Sequence, residues 1–268
     1  MTNDRTYGPF PWRVYASEIV GTALLLAIGL SAVILMFGAG SPMAGLIPSK
    51  GARRLITGFL FGTIGASIAL SPVGKESGAH INPAVTLAFR LMGKLDLRTT
   101  VGYILAQLIG AVLGSLPLLF WGAMGRSVDF GATVPGANFT FTTAFLGEMV
   151  TTFTMVILLA VFLAFRKLRP FTPGIFPPLY AIMVWAEAAI SGTSTNPARS
   201  FGPAIVSGQW QGWWIYWAGP LAGMLLAVLL CSALGKQIEV AKLYYFDTDR
   251  DRLFRRMATP RPRAGTAT

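Results

Sequence analysis

Two copies of one tripeptide carry most of the chemistry open to this chain. Asn82-Pro83-Ala84 lies in SGAHINPAVTLA (77–88), and Asn196-Pro197-Ala198 lies in SGTSTNPARSFGPA (191–204). Asparagine is favoured as a helix N-cap, and proline at the first helical position, where no backbone donor is needed. Each tripeptide therefore predicts a helix that starts at its proline, with an asparagine amide at its mouth. The first such segment, PAVTLAFRLM, ends before Gly93, so it is about 15 Å long. That is half the hydrocarbon depth of a bilayer. Two such N-termini brought together set two positive dipole ends and two amides around one point. The arrangement suits a neutral molecule that accepts a hydrogen bond, and it repels cations.

Few other residues can take part in chemistry. Arg199 stands three positions after Asn196, between apolar segments. A charge at membrane depth faces a cavity or marks a pathway. Glu18, in SEIVGTALL, and Glu148, in GEMVTTFTM, hold matching places. They are either a proton-relay pair or structural acceptors for the turns before the two short helices. Glu187, twelve residues before Arg199, either accepts from backbone amides of the SGTST turn or pairs with Arg199; the first reading is preferred. His80 is the only histidine and Cys231 the only cysteine. They permit no intrachain disulfide, no multi-histidine or cysteine metal site and no proton relay, so neither an enzyme nor a cofactor is expected. His80 is read as packing beside the first short helix and helping to line one half of the passage.

The elements that must hold these residues are membrane spans. The chain is 53% hydrophobic and only 12% charged over 268 residues, too little charge for a soluble surface of this size. Apolar runs long enough to cross a bilayer fall at about 14–37, 54–72, 99–121, 141–165, 174–191 and 213–234. The first is too long for a signal-peptide core and lacks a small-residue cleavage site, so it is expected to be retained. With six spans, 17 of the 22 Lys and Arg residues share the side of the two termini, which predicts cytoplasmic termini. The net charge of +11 thus reports topology and anionic lipid, not nucleic-acid binding. The short second loop points to a bacterial inner membrane.

The halves repeat. Asn82 and Asn196 lie 114 residues apart, YILAQLIGA (103–111) matches YWAGPLAGM (216–224), and Glu18 matches Glu148. Each half has three spans, an odd number, so the second enters the membrane from the opposite face and the repeat is inverted. The reading is an all-α membrane protein: six spans and two re-entrant half-helices in one channel domain, 14–234, with halves at 14–121 and 141–234. A short tail, 1–13, and a basic tail, 235–268, flank it. Glycines four apart (Gly58/Gly62, Gly110/Gly114, Gly219/Gly223) predict close helix crossings.

The paired tripeptides, six spans and paired glutamates resemble the aquaporin and glycerol-facilitator family over roughly residues 14–234. The resemblance implies a passive channel, usually tetrameric. Its Glu18 and Glu148 positions hold the two re-entrant turns, which favours the structural reading. It places an outer constriction at Arg199, Thr193, Val184 and Phe61, the last after allowing one inserted residue before Asn82. Valine at 184 departs from the histidine common in water-selective members and gives a wider, less polar aperture. Ser200, Ala204 and Tyr216-Trp217 match the water subgroup, and Thr193 stands where a mercury-sensitive cysteine is often found. The expectation is a water channel excluding ions and protons. The alternative is a facilitator of glycerol, urea, ammonia or metalloid hydroxides. A proton-coupled transporter, which also uses inverted repeats, is the competing class.

Overall fold

A computed structural model describes residues 11–165 and 167–234. Both predicted tails lie largely outside these residues. Six long helices and two half-length ones form the framework. They are α1 (Trp12–Phe37), α2 (Lys50–Leu70), the half-length α3 (Pro83–Leu91), α4 (Leu97–Ser115), α5 (Phe141–Ala164), α6 (Thr172–Glu187), the half-length α7 (Pro197–Ser207) and α8 (Ile215–Ala233). The order long, long, half, long occurs twice, as the inverted repeat requires. Among the described residues, five helices are long and apolar enough to span a membrane, α4 when continued to Arg126. The sixth, α6, has 16 residues and is preceded by a 3-10 turn at Arg169–Phe171.

Within each half, the first and third long helices pack together, α1 on α4 and α5 on α8, and α2 packs on α6 across the halves. Glycines make these crossings close. A Cβ on Gly110 would lie 2.4 Å from the Ile19 carbonyl oxygen, and one on Gly223 would lie 2.1 Å from that of Met149. Gly58 and Gly62 meet the Tyr180 and Phe176 carbonyls in the same way, at 2.2 and 2.4 Å. Without a hydrophobic drive between helices in lipid, such backbone approach is what association rests on. Meanwhile Leu24, Ile28, Leu105, Ile109 and Leu229 are exposed, an apolar exterior fit for hydrocarbon.

Three details depart from the sequence reading. The turn before Asn82 contains a short helix, Pro72–Ser77, with Ser71 as its N-cap, Pro72 at its first position and left-handed Gly78 (φ 88°) at its end. Those cap and stop residues were present to be read. The third span runs past 121 through a 3-10 segment, Leu116–Trp121, into Gly122–Arg126. The fifth stops at Glu187, not 191, because Ile190 and Ser191 both donate to the Glu187 carbonyl and close a turn.

Candidate functional site: two capped half-helices around one cavity

Each half-helix begins as its sequence dictates. Asn82 is extended (φ −157°, ψ 119°) and its side-chain oxygen accepts from Ala84 N–H. Asn196 does the same (φ −147°, ψ 107°) for Ala198 and Arg199. That use of Oδ1 leaves each Nδ2 free to reach the other half. Asn82 Nδ2 donates to the Thr195 carbonyl at 2.9 Å, and Asn196 Nδ2 donates to the Ile81 carbonyl at 2.8 Å. The two caps are thereby clasped to each other's loops.

The loops before them are strained alike. Gly78, Ala79 and Ile81 have φ of 88°, 51° and 40°; their counterparts Gly192, Thr193 and Thr195 have 93°, 52° and 52°. Non-glycine residues avoid this left-handed region, so something must hold them there. Glu18 does so in the first half, accepting from His80 N–H (3.0 Å) and Ile81 N–H (2.7 Å). Glu148 does so in the second, accepting from Ser194 N–H (2.7 Å) and Thr195 N–H (2.8 Å). Both carboxylates are fully buried. Tyrosines complete the pattern: Tyr103 donates to the Ser77 carbonyl at 2.7 Å, and Tyr216 donates to that of Ser191 at 2.8 Å.

The halves differ where further polar groups enter. Glu18 also accepts from Gln107 Nε2 at 2.7 Å. Pro220 takes the place of Gln107 in the second half, and there Glu187 enters instead. It is buried and accepts the Ser191 and Thr193 hydroxyls. The SGTST turn offers it these hydroxyls and the Thr193 amide, whereas the Ser194 and Thr195 amides go to Glu148. Arg199 sends Nη1 elsewhere, to the Gly131 carbonyl at 2.7 Å.

His80 faces its own half-helix. Thr86 Oγ1 donates to the Asn82 carbonyl and accepts from Gln107 Nε2. It has no proton left for His80 Nδ1, 3.2 Å away, so Nδ1 carries the hydrogen. The ring packs on Phe89 and Tyr103, at 4.6 and 5.0 Å between centroids.

A cavity of about 60 Å³ meets these parts, lined by His80, Asn82, Asn196, Phe61, Tyr180 and Phe176 among others. About 10–15 Å³ suffices for one water, so it has room for a few. Of the four residues expected at a constriction, Phe61 and Arg199 are brought together, the guanidinium carbon lying 5.9 Å from the ring centroid. Val184 sits beside Gly58, where an added Cβ would be 2.8 Å from its own. That is one turn from Phe61 toward the start of α2. Thr193 is buried. Phe61 alone of the four lines the cavity.

Sequence reasoning overlooked Tyr180, Gln107, Ser191 and the Gly131 carbonyl. Ser191 and the two tyrosines were legible as repeat partners; Gly131, in a loop without a counterpart, left no signal. Among the described residues no cluster of three or more His, Cys, Asp or Glu could hold a metal.

Comparison with known proteins agrees with this architecture. The sequence pattern of the major intrinsic protein family matches residues 7–231. Aquaporin TIP4-4 of Zea mays is 36% identical over 220 residues, covering 79% of this chain and 86% of that protein. Aquaporin-8 of Notomys alexis is 32% identical over 232 residues, covering 82% and 81%. The X-ray structure of the aquaglyceroporin from Plasmodium falciparum superposes with a TM-score of 0.66 at 19% identity, covering 83% of this chain and 96% of that one, a likeness of fold. With its helical spans, paired half-helices and family pattern, the chain belongs to the major intrinsic protein family, the integral membrane channels for water or small solutes.

Proposed function

We propose that this channel conducts water along osmotic gradients and excludes ions and protons. The observation that carries the reading is the reciprocal clasp of Asn82 and Asn196, which holds two half-helix N-termini against one narrow cavity. Selectivity in aquaporin-type pores is generally attributed to bore, lining donors and positive half-helix ends, and this chain has each of them. Phe61, Val184, Thr193 and Arg199 form the outer constriction in this proposal. Residues 14–234 make one channel domain, the subunits assemble as tetramers, and both termini are cytoplasmic on the charge bias. A bacterial cell membrane is the expectation that the short second loop suggests, and the plant and rodent relatives named above lend it no support.

Val184 favours a second reading, a facilitator of small neutral solutes, because valine supplies neither donor nor bulk there. Stopped-flow light scattering on proteoliposomes separates the two. Fast osmotic shrinkage without glycerol-driven reswelling is the expected result; rapid reswelling overturns water selectivity, and uphill solute accumulation under a pH gradient overturns passive flow. Val184→His is expected to cut any residual urea flux about threefold or more by narrowing the bore.

A further inference from the structure

The cavity beside the two asparagines is bounded opposite them by aromatic rings. Phe61 and Tyr180 stack at 6.0 Å between centroids with 26° between planes, and Phe176 follows at 6.3 Å. Tyr180 lies one helical turn before Val184 on α6 and, unlike Val184, lines the same cavity as the two asparagines. Its hydroxyl is 2.8 Å from Thr195 Oγ1. Thr195 Oγ1 also meets the Ser194 carbonyl at 2.7 Å, and the Tyr180 hydroxyl also meets Met155 Sδ at 3.3 Å. The same Thr195 gives its carbonyl to Asn82 Nδ2. Tyr180 is thus moored to the residue that anchors the opposite asparagine, and Phe61 blocks its ring from swinging back.

We propose that Tyr180 is a specificity-determining residue: its moored ring narrows the passage beside Asn82 and Asn196 and sets the size limit for neutral solutes. This rests on the channel reading above. It also supplies what Val184 withdraws, since a valine at the outer constriction is then compatible with a tight pore. With its hydroxyl held between Thr195 Oγ1 and Met155 Sδ, the phenol turns its ring to permeants and discriminates by bulk.

The test uses the full chain in proteoliposomes and reads the ratio of glycerol to water permeability. Tyr180→Val is expected to raise that ratio at least about tenfold, the low end of what steric fit in an apolar pocket achieves. Tyr180→Phe keeps the ring and loses the mooring, so its rise is expected to be smaller, about two- to threefold. Should Tyr180→Val not yield folded protein, Tyr180→Leu is judged by the same ratio. A water-conducting variant of either kind with an unchanged ratio overturns the proposal and leaves the channel reading standing. Wild-type vesicles no more permeable to water than empty ones overturn the channel reading itself, whatever the variants do.

Discussion

At the scale of single residues, the two buried glutamates decide whether the re-entrant loops exist. Glu148 accepts two backbone N–H groups from a segment with two left-handed non-glycine residues, and the Ser191 hydroxyl, with one hydrogen, lies between it and Glu187. Hydrogen bonds to a charged acceptor contribute about 1.5–3 kcal/mol each. Glu148→Gln swaps one acceptor oxygen for an amide that must donate where donors already point. It is expected to destabilise the protein by about 2 kcal/mol or more, seen as earlier thermal unfolding in detergent and a lower folded yield; unchanged unfolding would mean the loop is held by other groups. The repeat paired Glu18 with Glu148 but left a proton relay and a holding role both open, and the family resemblance favoured the second. Glu187 could not be paired so, having no twin. Its hydroxyl partners come from the turn that ends α6, and the sequence reading carried that helix four residues too far. The asparagine caps were legible from Asn-Pro alone. Their amide contacts were not, since each spans more than a hundred residues to a backbone carbonyl, an acceptor every residue offers.

At the scale of helices, apolar runs located all six long helices. Among the described residues five of these are long and apolar enough to cross a membrane, and the spaced glycines marked the crossings. The α2–α6 crossing matters most for the pore, because Phe61 and Tyr180 both project from it. Gly62→Ala places a methyl group 2.4 Å from the Phe176 oxygen, and backbone cannot yield as a side chain would. Overpacking of this kind costs about 1–3 kcal/mol. The helices are expected to part, lowering the unfolding temperature and altering water permeability together. A variant with wild-type stability would mean that the crossing is looser than described. The short Pro72–Ser77 helix was missed for a physical reason: its six residues bury too little to show a periodicity, and only its caps betray it.

At the scale of the whole molecule, the outward faces of the long helices are apolar all round, as Val150, Ile182, Trp185 and Leu226 illustrate. Such surface serves lipid or a neighbouring copy equally well, and this is why the assembly state was not legible. Four copies are expected from native mass spectrometry in mild detergent; a stable monomer that conducts fully would remove the tetramer from the proposal. The asparagine clasp has a consequence for biogenesis. Until translation delivers Thr195 and Asn196, the nascent first half holds Ile81 and Asn82 with polar groups that no neighbouring lipid can satisfy. The early half must wait, loosely inserted or shielded by the insertion machinery, and the pore wall closes only when the late half docks. Ribosome stalling between residues 121 and 196 is therefore expected to leave a product that proteases recognise.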